Sequence, residues 1–584
     1  MKRALVLLLI LVVLVAWWAV SNQQPGITIS AEASAPAPYP ADFESRLRRV
    51  GGLQLELMAP LPDEICWQVP DTSEALGVPG AVKGGCVRMP NAGPFPAHFL
   101  RFGGGAPQFF HQNLHAATEI PLLFRHPLKG EIYAGVAQAW AERSNTIYLQ
   151  LNPKAHYNNG RPIRAADYLL SVLLQAEQGC GELETLSRLI TRLTAHGSHI
   201  LSVTLQDNAC LWDAIALLHP AEPGFYKDFD TRFRETYAQR IPPSTGAYRV
   251  SRVERGRLIQ LQRQSQWWGT ELPLCRQRFN ADTLEYHFLS SEAQVWEFLR
   301  QGKLDALQTR NIKAWQEHAE TNQGLSTLVY DADCPLPPYG IALNTLTLPD
   351  QELRKGLLQA LDMDYALAIM MRGEGRRLET FSSGYGPLTP QETPQYHYAP
   401  DAARSHFARA GYTQTGEDGI LRRQDGTRLS VRLLYTPHEK INTLVTSLAS
   451  SAARCGAEII PEPVPWQICQ QRLQERSHQL AFWAMPAPAR PQPALFLSPD
   501  SEPGANPFAL NHAVMNQALR QFSQSPTPAA LAEIDRLVYE LAIWLPGWKE
   551  NRVYLAFQSH LCVPPVPWCF DALEAHTFWV VPRP

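Results

Sequence analysis

The chain has 584 residues, with 52 Lys+Arg against 55 Asp+Glu for a formal charge of −3, and 45% hydrophobic against 18% charged residues. That balance excludes a disordered tail and a nucleic-acid binder with a strong basic field, and a mean hydropathy of −0.21 excludes a polytopic membrane protein. The length is enough for about 2–4 domains, while 48 Pro and 15 Trp imply many fixed turns and much aromatic surface to bury or to offer a ligand.

The N-terminus sets the compartment. Met1-Lys2-Arg3 precedes a continuous apolar run over residues 4–20, closed by Trp17 and Trp18 and followed by polar residues and a Pro/Ala-rich stretch. This is the pattern of a bacterial export signal. At 1.5 Å per residue the run spans about 25 Å, short of a hydrocarbon core of about 30 Å, but the two tryptophans suit a membrane interface. An A-x-A site at Ala33-Ser34-Ala35 lies well beyond the run. Cleaved signal and retained anchor both stay open, and either places the remainder in the periplasm, free or held on the outer face of the cytoplasmic membrane. No cysteine follows the run directly, which argues against lipidation. Residues 1–35 are thus a signal or anchor and 36–50 a linker.

From Leu53 on, strand and helix signals alternate. Cys86–Met89, Asn145–Leu151, Ser198–Leu205, Leu258–Arg263, Ala306–Gln308, Leu429–Tyr435 and Gln479–Ala484 read as strands from their alternation or β-branched content. Pro162–Glu177, Glu292–Leu304, Asp350–Met371, Lys440–Cys455 and Thr527–Trp544 read as helices, the last stopped by Pro546. Mixed order with several crossovers argues for an α/β fold of two large lobes.

Ten cysteines in an exported chain can pair. Sequence neighbours give Cys66–Cys86, Cys180–Cys210, Cys275–Cys334, Cys455–Cys469 and Cys562–Cys569; the alternative is buried free thiols acting as small apolar groups. No C-x-x-C supports a zinc ribbon or a redox motif.

Enzymatic signatures are missing. The chain has no H-E-x-x-H, no G-x-S-x-G elbow and no P-loop. Gly103-Gly104-Gly105 lacks dinucleotide-binding spacing and reads as a turn. His111 and His115, four apart, would need His126 as a third metal ligand and read more simply as hydrogen-bonded histidines. Glu182/Glu184 and Asp228/Asp230 are carboxylate pairs of the kind an acid–base pair uses, though solvated loop charges are far commoner and are the reading taken here. No cofactor or metal is expected, and the balance favours binding over turnover.

Four segments in order carry a resemblance. AHYNNGRPIRAADYLLS (155–171), STGAYRV with GRLIQLQR and QWWG (244–269), GIALNT with LRKGLLQALDMD (340–364), and YAPDAAR with AGY (398–412) are similar to motifs of the family 5 extracellular solute-binding proteins, the peptide- and nickel-type receptors of ABC importers. Arg164 stands where the family has a helix-capping Thr. Gly84-Gly85, the Arg377–Ser382 stretch and the long N-terminal half resemble the branch that takes larger peptide-like ligands such as microcins.

The resemblance implies a bilobal α/β fold of the periplasmic-binding-protein kind, type II and cluster C-like: lobe I over 51–335 with an inserted subdomain at about 100–240, lobe II over 336–548, and a return to lobe I over 549–584. It implies a monomeric, non-enzymatic receptor that closes on a peptide-like or other small polar ligand and docks on an ABC permease with its ATPase subunits, with no nucleic acid involved. Peptide-binding members carry an aspartate after the strand that is Ala481-Phe482-Trp483 here; this chain continues Met485-Pro-Ala-Pro-Ala-Arg490-Pro-Gln492-Pro493, with no acid. An unmatched buried amine is costly, so Arg490 suits a carboxylate-bearing ligand instead. The implied ligand-binding residues are Tyr339, Phe381, Ser382, Trp483, Met485 and Arg490. A membrane-tethered sensor or scaffold that kept the fold without uptake, and a hydrolase, are the other readings.

Overall fold

The computed structural model describes residues 28–29 and 39–580 except 41, 48–49, 51, 71–73, 92–93, 102–107, 127–130, 178–180, 207–208, 210, 228–232, 310, 319–323, 332–335, 372–376, 392, 488–490, 502–503, 550–551 and 565–574. Among the described residues no helix is long and apolar enough to cross a membrane; the run at 4–20 lies outside them.

The apolar side chains gather into two groups of cores. One is built from Phe43–Tyr330 together with Val553–Phe578. The other is built from Ile341–Trp548. No cluster among the described residues draws on both groups.

The first group lies under three sheets. Strands 54–57, 190–196, 200–205, 146–151 and 137–143 form one in that order; 248–254, 258–263, 283–288 and 86–91 form the second; 306–309, 552–558 and 325–331 form the third. Helix 165–177 covers the first sheet with a nearly continuous apolar surface, Tyr168 through Leu174 being buried. Its N-terminus is held by Asp167. This carboxylate accepts from the Arg164 backbone amide at 3.0 Å, which retains half of a capping box although Arg164 replaces the usual Thr. Asp167 also receives both arms of the buried Arg161 guanidinium at 2.8 and 3.1 Å, and the hydroxyls of Tyr157 at 3.1 Å and Tyr39 at 2.5 Å. The segment read as a linker is therefore docked from Tyr39 on, and Phe43 and Leu47 of helix 43–47 are buried.

The second group packs around one mixed sheet in the order 458–463, 430–435, 480–484, 339–343, 544–546. Strand 430–435 runs parallel to both its neighbours, and 339–343 antiparallel to both of its own. Helices 439–454 and 466–474 make the crossovers.

Several boundaries differ from those read in the sequence. The long helix expected at 350–371 is two, 351–360 and 363–370. Asp350 caps the first through the amides of Glu352 and Leu353, and Asp362 caps the second through the Tyr365 amide at 3.0 Å, so a second capping aspartate restarts the helix in a new direction. The last long helix ends at Glu540, ahead of Pro546, and 544–546 is a strand that completes the second lobe's sheet.

Cys66, Cys86, Cys275, Cys455, Cys469 and Cys562 are free, so the expected pairs 66–86 and 455–469 are not formed. Cys455 is buried at the end of helix 439–454 in one core while Cys469 packs with Leu434 and Leu473 in another. Cys180, Cys210, Cys334 and Cys569 lie outside the described residues.

Candidate functional site

The chain passes between the two core groups twice, and the two passages run side by side. Below the passage, 325–331 pairs antiparallel with 552–558, ending at Asp331 opposite Arg552. Above it, 339–343 pairs antiparallel with 544–546, Gly340 lying opposite Pro546. Between them the Tyr339 amide donates to the Trp548 carbonyl at 2.7 Å and the Gly547 amide to the Tyr339 carbonyl at 2.9 Å. The same two segments are thus paired on either side of residues 332–335 and 550–551, which lie outside the described residues.

Close backbone approach at this connection requires glycine. A Cβ on Gly340 would stand 2.4 Å from the Leu545 carbonyl oxygen, and one on Gly547 2.6 Å from the Tyr339 carbonyl oxygen. The rings of Tyr339, Trp548 and Phe482 form a three-membered cluster, Tyr339 lying 4.9 Å from Trp548 at 17° and 5.8 Å from Phe482 at 8°, and Phe482 5.7 Å from Trp548.

Next to this stack the strand Leu480–Ala484 leads into the loop named above. Trp483 is half-buried and meets Phe496 edge-on at 6.5 Å. Met485 is buried, its amide donating to the Pro338 carbonyl at 3.0 Å. Phe381 meets Phe496 edge-on at 5.5 Å. Phe381, Trp483 and Met485 therefore gather around Phe496 in one core, and Tyr339 sits at the connection beside it. Ser382 lies deeper, 1% exposed. Arg490 falls outside the described residues.

Ser382 serves a group that the sequence did not single out. Asp535, on helix 528–540, accepts from the hydroxyls of Ser382 at 3.3 Å and Thr380. Burial pushes this carboxyl up to about 7, against the opposing pull of those two hydroxyls. A pocket of about 30 Å³ opens beside it, lined by Thr380, Phe381, Tyr396 and Trp544 among others. That is room for about one water, far below the roughly 300 Å³ at which pockets begin to enclose a small ligand.

Across from the loop, the first lobe presents Trp212 and Asp213 on helix 211–216. The Gln492 side-chain amide donates to Asp213 Oδ2 at 2.8 Å, joining the loop of one lobe to the wall of the other. The Arg125 guanidinium lies 5.7 Å from the Trp212 ring centroid. Neither Asp213 nor Gln492 stands out in the sequence, because the contact joins positions 279 residues apart.

His115, read as a hydrogen-bonded histidine, bonds Glu119 Oε1 through Nδ1 at 2.8 Å, and His126 is buried; the side chain of His111 lies outside the described ones. No group of three His, Cys, Asp or Glu that could hold a metal occurs among the described residues. Glu119 is shared with Arg101 and with His219, whose Nδ1 is 3.1 Å from Oε2. Burial tends to raise the Glu119 carboxyl, but Arg101 and His115 hold it well below the usual range. Burial, then the Arg101 charge, lower His219 to about 4, so its imidazole is neutral, donating from Nδ1 to Glu119 and accepting at Nε2 from Arg101. Glu184 pairs with Arg188 at 2.7 Å on an exposed helix face, and Asp228 and Asp230 lie outside the described residues.

Two separately packed lobes, a two-stranded connection and a loop reaching across define a binding protein of the two-lobed kind. The family model for bacterial extracellular solute-binding proteins, family 5, matches residues 131–507, well over half of the chain, and the chain belongs to that family. The fold is shared with solved structures at low identity. The oligopeptide-binding protein AppA from Bacillus subtilis, in complex with a nonapeptide, aligns at TM-score 0.64 and 14% identity over 86% of this chain and 100% of that one. NikA from Brucella suis, in complex with Fe(III)-EDTA, aligns at TM-score 0.70 and 15% identity over 85% and 99%. The periplasmic murein tripeptide binding protein MppA, in an unliganded open form, aligns at TM-score 0.66 and 16% identity over 88% and 99%. Among curated sequences, YejA of Escherichia coli (strain K12) is 24% identical over 255 residues, 41% of this chain and 39% of that one. The peptidoglycan-binding protein YepA of Agrobacterium fabrum is 21% identical over 257 residues, 41% of this chain and 42% of that one. The matched region thus spans about two fifths of the length of these curated relatives.

Proposed function

We propose that this protein is the substrate-binding component of an ABC importer, closing two lobes on a peptide-like or other small polar ligand in the periplasm and handing it unchanged to a membrane permease. Lobe I comprises 51–335 and 549–584, with the inserted subdomain at about 100–240, and lobe II comprises 336–548. The division of the cores supports the boundaries between the two lobes, while the first core also takes in Phe43 and Leu47, ahead of residue 51. The observation that carries the reading is the Gln492–Asp213 bond between lobes that otherwise pack separately: such a bond spans the space where a guest is held when a two-stranded connection bends.

In this reading Tyr339 and Trp483 border the ligand, Arg490 reaches it from the loop, and Phe381, Ser382 and Met485 support that wall from behind. A carboxylate is the natural partner of Arg490. AppA is in complex with a nonapeptide, MppA is a murein tripeptide binding protein and NikA is in complex with Fe(III)-EDTA, a range that fits a cleft adapted by loop chemistry. The apolar run at 4–20 delivers the protein to the periplasmic side, free or anchored.

Native mass spectrometry of the full chain purified from its own host tests this. A small non-covalent adduct is expected, lost on unfolding and regained when the same compound is returned, with a higher Tm when bound. Chemical conversion of that compound by the protein would overturn the reading.

A further inference from the structure

The loop Met485–Leu497 contains no acidic residue, yet its Gln492 is bonded to an acid on the opposite lobe. Asp213 is half-buried, and the partner it holds is a neutral amide. The amide bond uses only the charge of the acceptor, whereas an ammonium in the same place adds charge–charge attraction to the hydrogen bond. The attraction grows further as closing lobes displace water. Gln492 is also flanked by Pro491 and Pro493, which restrict the backbone and hold the amide at a fixed reach.

We propose that Asp213 is the recognition residue for an ammonium group of the ligand, and that Gln492 takes this place only when the lobes meet without a ligand. This rests on the ligand-binding reading above and adds to it a chemical class, peptide-like molecules with a free amine. Arg125, stacked near Trp212, gives the same wall a cation beside its acid. The counter-charge missing from the loop is supplied by the opposite lobe.

The test uses a tryptic digest of casein, half left native and half acetylated at its amines with an isotopically marked reagent. The two halves are mixed and offered to the full chain, and captured peptides are read by native mass spectrometry. The wild-type protein is expected to capture free-amine peptides at least about tenfold over their acetylated forms, the range for losing a charged hydrogen bond. Asp213→Asn is expected to abolish that preference while still capturing both, and Gln492→Ala to raise capture of the free-amine forms. Equal capture of both forms by the wild type overturns the assignment to Asp213 and leaves the ligand-binding reading standing. Equal loss of both forms in Gln492→Ala overturns it too, since Gln492 is then a ligand contact. Capture of neither form by the wild type overturns the peptide-like reading and this inference with it.

Discussion

Tyr339 and Trp548 meet twice where the chain passes between its lobes: their rings stack at 4.9 Å, and the Tyr339 amide donates to the Trp548 carbonyl at 2.7 Å. One residue enters the second lobe and the other leaves it, so the pair fastens entry to exit. A backbone bond alone would leave both strands free to fray. The stacked rings, with Phe482 packed against both at 5.8 Å and 5.7 Å, exclude water from it.

Trp548→Ala is accordingly expected to cost about 3–5 kcal/mol, the usual range for a buried large aromatic. Urea unfolding followed by a second-lobe tryptophan should show the loss. Gly340→Ala should also destabilise the protein by at least about 1–3 kcal/mol, since its Cβ meets backbone and the Trp544 ring rather than a flexible side-chain end. An unchanged unfolding midpoint for either variant would contradict this account of the connection.

Asp167 should be the most sensitive carboxylate of the first lobe. Asp167→Asn leaves the buried Arg161 with Glu222, 3.5 Å away, as its remaining acid, and a loss of about 3–5 kcal/mol is expected. Tyr39→Phe removes a single hydroxyl donor and should cost about 1 kcal/mol. Equilibrium denaturation of the two variants should separate them clearly.

Two buried groups should respond to pH in opposite directions. The Asp535 carboxyl, near 7 in the folded protein, lies above the roughly 4 of an unfolded aspartate. The native state therefore holds more protons at this site between those values, and the contribution of Asp535 to second-lobe stability is complete below about pH 4 and is lost as pH rises through 7. His219, at about 4, lies below an unfolded imidazole. The unfolded state then holds more protons, and the first lobe keeps its stability above about pH 6.5 and loses it as pH falls through 4. Glu119, held low, acts in the same direction as His219.

Asp535→Asn should therefore stabilise the second lobe at pH 8 by an amount on the order of a few kcal/mol and flatten its pH profile, while leaving the acid limb intact. Urea midpoints at pH 5 and pH 8, followed by hydrogen exchange in each lobe, check this. An identical slope in the wild type and the variant would remove Asp535 as its source.

Much of the fold was legible because its signals are local. Alternation over Asn145–Leu151 and Leu429–Tyr435 marks strands now seen at 146–151 and 430–435, and the ordered motifs from Ala155 to Tyr412 carried the family. What failed depended on a few residues against a strong background. Asp362 breaks a helix whose apolar spacing runs on past it, because a side-chain cap makes restarting inexpensive. Cys66 and Cys86, and Cys455 and Cys469, are not paired, because nearness in sequence says nothing about which core receives each thiol. In the site, Tyr339, Trp483 and Met485 could be placed from their strand, whereas Asp213 and Asp535 act through partners over 150 residues away, and no periodicity marks such contacts.

Small-angle X-ray scattering of the full chain, with its host-derived ligand bound and again after that ligand has been removed by unfolding and refolding, tests the two-lobed capture most directly. Closure on a guest requires a smaller radius of gyration in the bound sample, reversed on removal and restored on return of the ligand. Superimposable curves for samples that mass spectrometry shows to be loaded and empty would contradict it.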